Sequence, residues 1–379
     1  MKISEEQAKW AEETLSRLEE KMNQVSNRSA EKIPYTVVNG VHDDRSAGDQ
    51  IGWWTNGFWG GIMWQLYTLT GKEKYRKIAE KVEEKLDRNF LNADMLDHDN
   101  GFKWLTTAVA DYRVTGNPAS RNRGILAADN LAGRFNHAGR FLRAWNDWDD
   151  KNDRRGWAII DCMMNLPLLY WAWETTKDPR YLQTAVQHAD TARKNFVRED
   201  GSVNHIVEFD VNTGEMVRSY GGQGYGDGSS WTRGQSWGLY GFTLSYLHTK
   251  DPAYLATAEK IAGYFQAHIP ESGLIPVDFC QPEEVTLEDS TAAAIAACGF
   301  LELAKIAEGS KSQGYLDAAL KLLHTLAEQR CNWNEAEDDV LQKCTAAYHQ
   351  PDPETSIIYG DYYFLEALMK LTGKELFIW

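Results

Sequence analysis

Apolar segments of helical length alternate along the chain with amphipathic, charged ones. Residues 181–196 and 254–269 place apolar side chains three and four positions apart, which is the period of a helix with one buried face. The segments before them, 167–176 and 236–249, are apolar on nearly every side, as is typical of fully buried helices. Three further segments share this all-round apolar character: 58–69, 290–307 and 362–372. The pattern therefore predicts helical hairpins, each with a buried inner helix and a partly exposed outer one.

A short polar turn separates the two helices of each predicted hairpin, and such turns occur six times. They lie at residues 70–72, 115–117, 176–178, 249–251, 310–312 and 372–374, between 45 and 73 residues apart. The sixth inner helix lacks an outer partner, and the amphipathic segment at residues 4–25 is also unpaired. Placing this N-terminal helix in the vacant outer position closes a ring of twelve helices. We therefore predict a single all-α domain over residues 1–379 with the (α/α)6 barrel fold; the alternative is an open helical solenoid.

Two segments depart from this regular pattern. Residues 116–135 show a weaker helical period than the other outer segments. Residues 197–230 are long and Gly-rich, and they contain the alternating run HIVEFDV. Because long loops in a compact domain are usually functional, we expect a β-hairpin or loop that caps one mouth of the barrel.

Composition narrows the possible partners. The chain has 40 Lys and Arg against 55 Asp and Glu, and its net charge of −15 argues against binding to nucleic acid or anionic lipid. It has no window of 18 uninterrupted apolar residues and begins with an acidic amphipathic segment, so we expect no membrane span and no secretory signal. Five cysteines without Cys-x-x-Cys spacing favour free thiols in a reducing compartment. The 15 Trp and 17 Tyr suit contacts with sugars, although core packing accounts for many of them.

Acidic and aromatic residues cluster just before the predicted inner helices, which all begin at the same end of the barrel. An Asp at such a position often caps the helix, and this is the plainer interpretation of Asp289 and Asp361. Asp161 differs, because apolar residues flank it on both sides and burial raises the pKa of a carboxyl toward that of a general acid. A helix N-terminus would lower that pKa, so the sequence leaves the balance open.

Asp99 and Asp161, from neighbouring hairpins, are the candidate acid–base pair. A metal interpretation of residues 97–99 lacks a second His or Cys cluster with ligand spacing. The Gly-rich stretch 221–228 lacks the strand and βαβ unit of a dinucleotide site, and the chain has no Gly-x-Ser-x-Gly elbow. We therefore expect neither a metal ion nor a cofactor.

Six motifs resemble the unsaturated glucuronyl hydrolases, which are glycoside hydrolases of family 88. They are WTNGFWGGIMW (54–64), LDHDNGF (96–102), IIDCMMNLPLLYWA (159–172), GSSWTRGQSWGLYGF (228–242), DSTAAAIAACGFLE (289–302) and YGDYYFLEAL (359–368). The motifs keep their order over nearly the whole chain. The resemblance implies an (α/α)6 barrel, a cytoplasmic bacterial enzyme, and oligosaccharide substrates that carry a C4=C5 unsaturated uronic acid at the non-reducing end.

The resemblance also implies roles for individual residues. It makes Asp161 the general acid and base, and Asp99 the second essential carboxylate. It assigns substrate contacts to eight positions: Trp54, His98, Trp145, His205, Gln223, Trp231, Arg233 and Trp237. Trp145, His205 and Gln223 lie in stretches that diverge from the family, and core packing, structural histidines or a structural salt bridge are the simpler roles for several of these side chains.

Family chemistry implies that Asp161 protonates C4 of the substrate and then activates the water that adds to C5. Asp99 would hold ring hydroxyls and raise the pKa of Asp161 by like-charge repulsion. Arg233 and His98 would offset the charge of the substrate carboxylate. Residues 103–158 diverge and are expected to shape the side of the site that binds the aglycone. Residues 348–358 are acidic and lack Lys and Arg, which argues against a preference for heavily sulfated substrates.

Other functions remain open at this point. An unsaturated rhamnogalacturonyl hydrolase shares the implied fold. A sugar epimerase or a conventional glycosidase would use acids in the same funnel, but an epimerase is expected to need two histidine bases and only His98 precedes an inner helix. A carbohydrate-binding protein without activity is the alternative from another class, and the acid in an apolar run at Asp161 counts against it.

Overall fold

A computed structural model describes residues 3–147 and 152–379 of the chain. In chain order the α-helices are α1 (Glu5–Arg28), α2 (Phe58–Thr70), α3 (Glu73–Leu86), α4 (Asn100–Trp104), α5 (Ala110–Thr115), α6 (Pro118–Gly133), α7 (Leu166–Thr176), α8 (Pro179–Asn195), α9 (Thr232–Thr249), α10 (Pro252–Ala267), α11 (Ser290–Ile306), α12 (Gly309–Gln329) and α13 (Ile358–Leu371). A π-helical turn, Leu105–Val109, joins α4 to α5, so these two helices act as one. Short 3-10 helices span Gly48–Gly52, Asp87–Leu91, Ala93–Met95 and Ile160–Met164.

The helices form two concentric rings. Going round the inner ring, α2 contacts the α4–α5 unit, which contacts α7, and α9, α11 and α13 follow before α13 returns to α2. The outer ring consists of α1, α3, α6, α8, α10 and α12, and each of these packs against an inner helix. Helix α1 packs against α13, as expected for an N-terminal helix in the vacant outer position. The (α/α)6 barrel is therefore confirmed, and the open solenoid is excluded.

Burial distinguishes the two rings as the sequence pattern predicts. Every residue of α11 from Ser290 to Ala304 is buried, whereas the outer helix α3 buries one face. Close approach of inner helices depends on small residues where α2 meets α13. A Cβ atom at Gly61 would lie 2.7 Å from the ring of Tyr362 and 2.9 Å from Thr106. Glycine at this position lets neighbouring inner helices pack closely enough to close the ring.

Most of the predicted turns are found where the sequence places them. Gly71, Gly116, Lys177 and Lys250 have positive φ values between 60° and 75° and end the helices before them. A residue with left-handed backbone conformation after the last helical turn lets main-chain N–H groups donate to the free carbonyl groups at the helix end. The outer helices α3, α6, α8 and α10 therefore start within a few residues of the ends of the inner helices before them.

The fifth predicted turn, at residues 310–312, is wrong in position. Helix α11 ends at Ile306, and residues 310–312 already lie inside α12. Ala307 and Glu308 form the connection, and Gly309 has φ 58° at the start of α12. The small and polar residues at 310–312 belong to the first turn of a helix, a position that tolerates them as well as a loop does.

The irregular segment 116–135 forms the outer helix α6. Asn117 caps this helix by accepting the N–H of Ala119 at 3.0 Å, and Pro118 occupies its first turn. Its buried face includes Ser120 and Gly124, where a Cβ would lie 2.6 Å from Trp171. A face of such small residues has little hydrophobic contrast, which explains the weak period in the sequence.

Short β-strands surround the end of the barrel at which the inner helices begin. They pair as four antiparallel sheets: β1 (Val37–Val38) with β2 (Val41–His42), β3 (Phe135–Asn136) with β4 (Phe141–Leu142), β5 (Trp157–Ile159) with β6 (Ile206–Phe209) and β7 (Met216–Tyr220), and β8 (Cys344–Thr345) with β9 (Glu354–Thr355). The β6–β7 pair confirms the hairpin expected within 197–230. Strand β5 leads directly into the 3-10 helix that contains Asp161. No helix within the described ranges is long and apolar enough to span a membrane.

Candidate active site

A cavity of about 750 Å³ opens where the inner helices begin. Seven of the ten residues proposed from the sequence line it: Trp54, His98, Asp99, Trp145, Asp161, Gln223 and Arg233. The remaining lining residues are Asp49, Gly52, Trp53, Asn92, Asp94, Met95 and Asp97. The architecture therefore brings together residues as far apart in the sequence as Trp54 and Arg233.

Asp161 lies in the 3-10 helix Ile160–Met164, whose other residues are apolar and buried. Its neighbours Ile160 and Cys162 are fully buried, and its Oδ1 atom is buried without a hydrogen-bond partner among the residues the structure describes. Burial raises the pKa of Asp161 to about 7, against an opposing effect of the Arg233 guanidinium. Desolvation therefore outweighs the effects that lower the pKa of Asp161, a comparison that the sequence alone could not decide. A carboxyl with such a pKa can both donate and accept a proton near neutral pH.

Asp99 precedes α4 and is 6% exposed. Burial raises its pKa well above the usual range, and the negative charges of Asp97 and Asp161 raise it further. From the sequence, the charge of Asp99 was expected to raise the pKa of Asp161. Desolvation is the main cause of the raised pKa of Asp161, and the two carboxyl groups also repel each other when both are ionised.

Asn165 links the segments that carry these two acids, and the sequence analysis did not single it out. Its Oδ1 accepts the main-chain N–H of Phe102 at 2.8 Å. Its Nδ2 lies 3.4 Å from Oδ1 of Asp99 and 3.3 Å from the main-chain oxygen of Asp161. The available signal was a polar residue inside the apolar motif IIDCMMNLPLLYWA.

His205 does not line the cavity, but its ring approaches Asp161 from behind. The Nε2 atom lies 3.7 Å from Oδ1 of Asp161. The main-chain N–H of Gln223 donates to Nδ1 at 3.0 Å, a closer contact than the 3.3 Å from Nδ1 to the oxygen of Gly221. This arrangement assigns the ring proton to Nε2. Burial lowers the pKa of His205 to about 3, so the ring is neutral and presents an N–H to the acid.

His98 is buried beside Asp99, with Nε2 at 3.5 Å from Oδ2 of that residue. Burial lowers the pKa of His98 to about 4. The family resemblance implied that this side chain offsets the charge of a substrate carboxylate. Because the ring is neutral near pH 7, it can supply a hydrogen bond but not a positive charge.

Arg233 combines a structural role with a place in the cavity wall. Its Nη1 pairs with Oδ2 of Asp289 at 2.6 Å and also donates to the oxygen of Thr345, while Nη2 donates to the oxygen of Ala346 at 2.6 Å. The guanidinium lies 4.4 Å from the ring centre of Trp231. The structural salt bridge considered from the sequence therefore exists, and the same positive charge still acts on Asp161.

The two further acids before inner helices differ from each other. Asp289 caps α11 by accepting the N–H of Thr291 at 3.1 Å, as expected. The prediction that Asp361 caps α13 is wrong. Asp361 lies in the first turn of that helix and accepts hydrogen bonds from the main-chain N–H groups of Val340 at 3.3 Å and Leu341 at 2.7 Å. It anchors a neighbouring loop instead of its own helix.

The aromatic candidates divide between the cavity wall and the core. Trp54 lines the cavity and packs against Phe102, with ring centres 5.4 Å apart. Trp237 is completely buried below it, 5.2 Å from Phe102, and does not reach the cavity. Trp231 is also buried and packs on His205 at 4.2 Å. The structure thus places Trp231 and Trp237 behind the residues that a ligand would touch.

The outer part of the cavity is acidic. We call Asp49, Asp94 and Asp97 the acidic rim; the first two belong to the 3-10 helices Gly48–Gly52 and Ala93–Met95. The sequence analysis missed Asp49 and Asp94, because these short turns have no periodic pattern. It placed the aglycone side within 103–158, of which Trp145 lines the cavity and 148–151 lie outside the described residues. Within the described parts of the chain, no group of three or more His, Cys, Asp or Glu side chains could hold a metal ion.

The sequence is similar to a family of glycoside hydrolases and to individual members with known activity. The family model described as Glycosyl Hydrolase Family 88 matches residues 21–374. The unsaturated glucuronyl hydrolase of Bacillus sp. (strain GL1) is 39% identical over 328 residues, which cover 84% of this chain and 86% of that protein. The unsaturated chondroitin disaccharide hydrolase of Streptococcus agalactiae is 36% identical over 329 residues, covering 84% and 81% of the two chains.

Solved structures extend the similarity to the fold. The crystal structure of the unsaturated glucuronyl hydrolase from Bacillus sp. GL1, described as responsible for the degradation of glycosaminoglycan, superimposes with a TM-score of 0.87. That alignment has 33% sequence identity and covers 95% of this chain and 96% of the other. The chain belongs to glycosyl hydrolase family 88, and it is a glycosidase with the (α/α)6 barrel fold of that family's unsaturated glucuronyl hydrolases.

Proposed function

We propose that this glycosidase releases a 4,5-unsaturated uronic acid from the non-reducing end of oligosaccharides of the glycosaminoglycan type. The names of the two curated relatives support this substrate class. The observation that carries the proposal is the state of Asp161: a carboxyl with a pKa of about 7, at the wall of a sugar-sized cavity, with one oxygen that has no hydrogen-bond partner in residues 3–147 and 152–379. A protein that only binds sugars has no need for such a group.

The reaction follows from the chemistry of the substrate. Its C4=C5 double bond is a vinyl ether, so protonation at C4 places positive charge on C5 and the ring oxygen. Protonated Asp161 supplies this proton and becomes a carboxylate. The carboxylate then takes a proton from a water molecule as the water oxygen bonds to C5. The hemiketal formed at C5 opens, and the aglycone leaves from C1 with its oxygen protonated.

Other residues of the site would support these steps. Asp99 would accept hydrogen bonds from ring hydroxyls. Arg233, although paired with Asp289, would attract the uronate carboxylate by its positive charge. Trp54, Trp145 and Gln223 line the cavity and would contact the sugar rings. His98 would donate a hydrogen bond as a neutral ring. His205, Trp231 and Trp237 act from behind the wall, so their contribution to binding would be indirect.

The experiment that tests this function follows the ultraviolet absorbance of unsaturated chondroitin or hyaluronan disaccharides incubated with the protein and EDTA. Loss of absorbance would show that the conjugated double bond is consumed without a free metal ion. The Asp161→Asn variant should bind the disaccharide and leave the absorbance unchanged. Turnover within a few-fold of wild type in that variant would overturn the role of Asp161.

Negative outcomes of the same assay lead to the remaining alternatives. No loss of absorbance with any glucuronyl disaccharide, but turnover of unsaturated rhamnogalacturonan fragments, would identify a rhamnogalacturonyl hydrolase. Binding of disaccharides without any turnover would favour a carbohydrate-binding protein.

We also propose that the protein works in a reducing compartment such as the cytoplasm. All five cysteines are free thiols, and Cys162, Cys298 and Cys344 are buried among apolar residues. Subcellular fractionation of the source cells tests this proposal, and recovery outside the cytoplasm would contradict it.

A further inference from the structure

The side chain of Asn165 connects two successive hairpins at the candidate active site. Asn165 follows the 3-10 helix Ile160–Met164, which carries Asp161, and stands directly before α7. Its carboxamide reaches the start of α4, where it contacts both Asp99 and the main-chain N–H of Phe102. One amide therefore touches the segments of both acids, through the main chain of one and the carboxylate of the other.

Burial and packing fix this carboxamide. Asn165 is completely buried, and a buried amide that loses its partners carries a large desolvation cost. The facing residue on α4 is Gly101. A Cβ atom at that position would lie 2.6 Å from Oδ1 and from Cα of Asn165. Glycine at position 101 is thus what allows the two segments to approach and the amide to bridge them.

The charges around the two acids show what this bridge does. Asp99 faces the following groups: Asp97, His98, Lys103, Asp161 and Asn165. Asp161 faces Arg233 and His205. Among the neighbours of Asp99, the Asn165 amide donates to its carboxylate and favours the ionised form. Burial and the charges of Asp97 and Asp161 raise the pKa of Asp99, and this hydrogen bond opposes them together with the positive charge of Lys103.

We infer that Asn165 is a positioning residue, whose carboxamide holds Asp99 in a fixed relation to Asp161 and donates a hydrogen bond that opposes protonation of Asp99. The inference rests on the proposed function for its kinetic consequences. Its electrostatic consequence, a change in the titration of Asp99, does not depend on any substrate.

The kinetic experiment compares Asn165→Ala with Asn165→Asp on an unsaturated disaccharide. Alanine removes the donor, so kcat should fall about 10- to 100-fold with little change in KM. Aspartic acid keeps the shape and can donate to Asp99 only while protonated. Its kcat should approach wild type at about pH 5 and fall toward that of the alanine variant at about pH 8. Wild-type kcat and pH profiles in both variants would overturn the inference.

A matched variant separates positioning from simple loss of stability. Asn89 is also completely buried, but its Nδ2 donates to the oxygen of Leu86 at 2.9 Å and contacts neither acid. Asn89→Ala should lower the melting temperature without changing the shape of the pH profile. If Asn165→Ala loses activity only in proportion to its loss of stability, as this control does, the positioning role is excluded.

Infrared titration of the carboxyl bands in the substrate-free protein gives an independent readout. Asn165→Ala should move part of the carboxyl titration to higher pH, and the difference should vanish in an Asp99→Asn background. Identical titrations of wild type and Asn165→Ala would overturn the inference. An infrared difference in a protein that turns over no unsaturated disaccharide would support the inference and overturn the proposed function instead.

Discussion

The Nε2 atom of His205 lies 3.7 Å from Oδ1 of Asp161, an oxygen for which the described residues offer no hydrogen-bond partner. The main-chain N–H of Gln223 donates to Nδ1 of His205, so the ring proton of His205 is on Nε2, which faces Asp161. A separation of 3.7 Å is too long for a hydrogen bond, as is consistent with a protonated Asp161. Once Asp161 has given its proton to the substrate, the carboxylate would attract the same N–H.

From this relationship we expect His205→Ala to lower kcat about 10- to 100-fold, because the Asp161 carboxylate would lose the N–H group that faces its Oδ1 atom after proton transfer. His205→Gln, which retains an N–H group, should recover part of the loss. Steady-state kinetics on an unsaturated disaccharide measures both effects. His324→Ala is the control, since His324 stacks on Trp10 of α1, away from the cavity. Equal activities of the three variants would contradict a role for His205 next to Asp161.

The pH dependence of activity should follow from the pKa of Asp161, which burial raises to about 7. The reaction begins with protonated Asp161, so kcat/KM should fall as the pH rises through about 7. Arg233 opposes this elevated pKa, and its replacement by Met should move the decline to higher pH if the protein remains folded. Rate measurements from about pH 5 to pH 9 test the sign. A rate that increases across this range would contradict protonated Asp161 as the starting form.

Asp361, which does not line the cavity, should make folding stability depend on pH. Burial raises its pKa in the folded protein to about 7, whereas an Asp in the unfolded chain has a pKa of about 3.9. The folded state therefore holds this proton more tightly, and the associated stability is present below about pH 4 and is lost as the pH rises to about 7.

The Asp361→Asn variant has no proton to lose at this position. Its free energy of unfolding relative to wild type should therefore increase between about pH 5 and pH 8, by an amount on the order of 1 kcal/mol. Urea unfolding at the two pH values measures the change. Asp317→Asn, on the exposed face of α12, should show no such trend. Parallel stability curves for wild type and Asp361→Asn would refute the effect.

Ring closure should be sensitive to volume at Gly61. An added methyl group there meets Tyr362 at 2.7 Å and Thr106 at 2.9 Å, so we expect Gly61→Ala to cost about 1–3 kcal/mol of stability. Gly263 in α10 provides the matched control, because a Cβ there meets no atom within 4 Å. Gly263→Ala should stabilise the protein by about 0.5–1 kcal/mol through helix propensity. Thermal or denaturant unfolding of both variants distinguishes the two effects.

The sequence carried most of the fold because the inner and outer helices differ strongly in hydrophobicity. It was least informative where that contrast is small, as in α6, whose buried face includes Ser120 and Gly124, and at residues 310–312, where polar residues belong to a helix start. Asp161 and Arg233, which line the cavity, lie in matched motifs and could be selected from the sequence. Asn165 could not, because the role proposed for it depends on a contact with Asp99, 66 residues away in the sequence.

The acidic rim should decide which aglycones the enzyme accepts. Asp49, Asp94 and Asp97 line the outer part of the cavity, whereas the positive side chain in its wall, Arg233, lies deeper and is paired with Asp289. A sulfate group on the aglycone would bring further negative charge to this rim. We therefore expect a higher kcat/KM for unsulfated than for sulfated unsaturated chondroitin disaccharides, with a smaller difference at high ionic strength.

Asp94→Asn and Asp49→Asn should each reduce this discrimination by about two- to fivefold, since both residues are exposed and water screens their charges. The effect should come from faster turnover of the sulfated disaccharide, with the unsulfated one unchanged. Asp317→Asn removes the same charge from the far surface of α12 and should leave the ratio of kcat/KM values as it is in wild type. If the rim variants and this control give the same ratio, the negative rim does not select the aglycone. In that case any selectivity must come from shape or hydrogen bonding within the cavity.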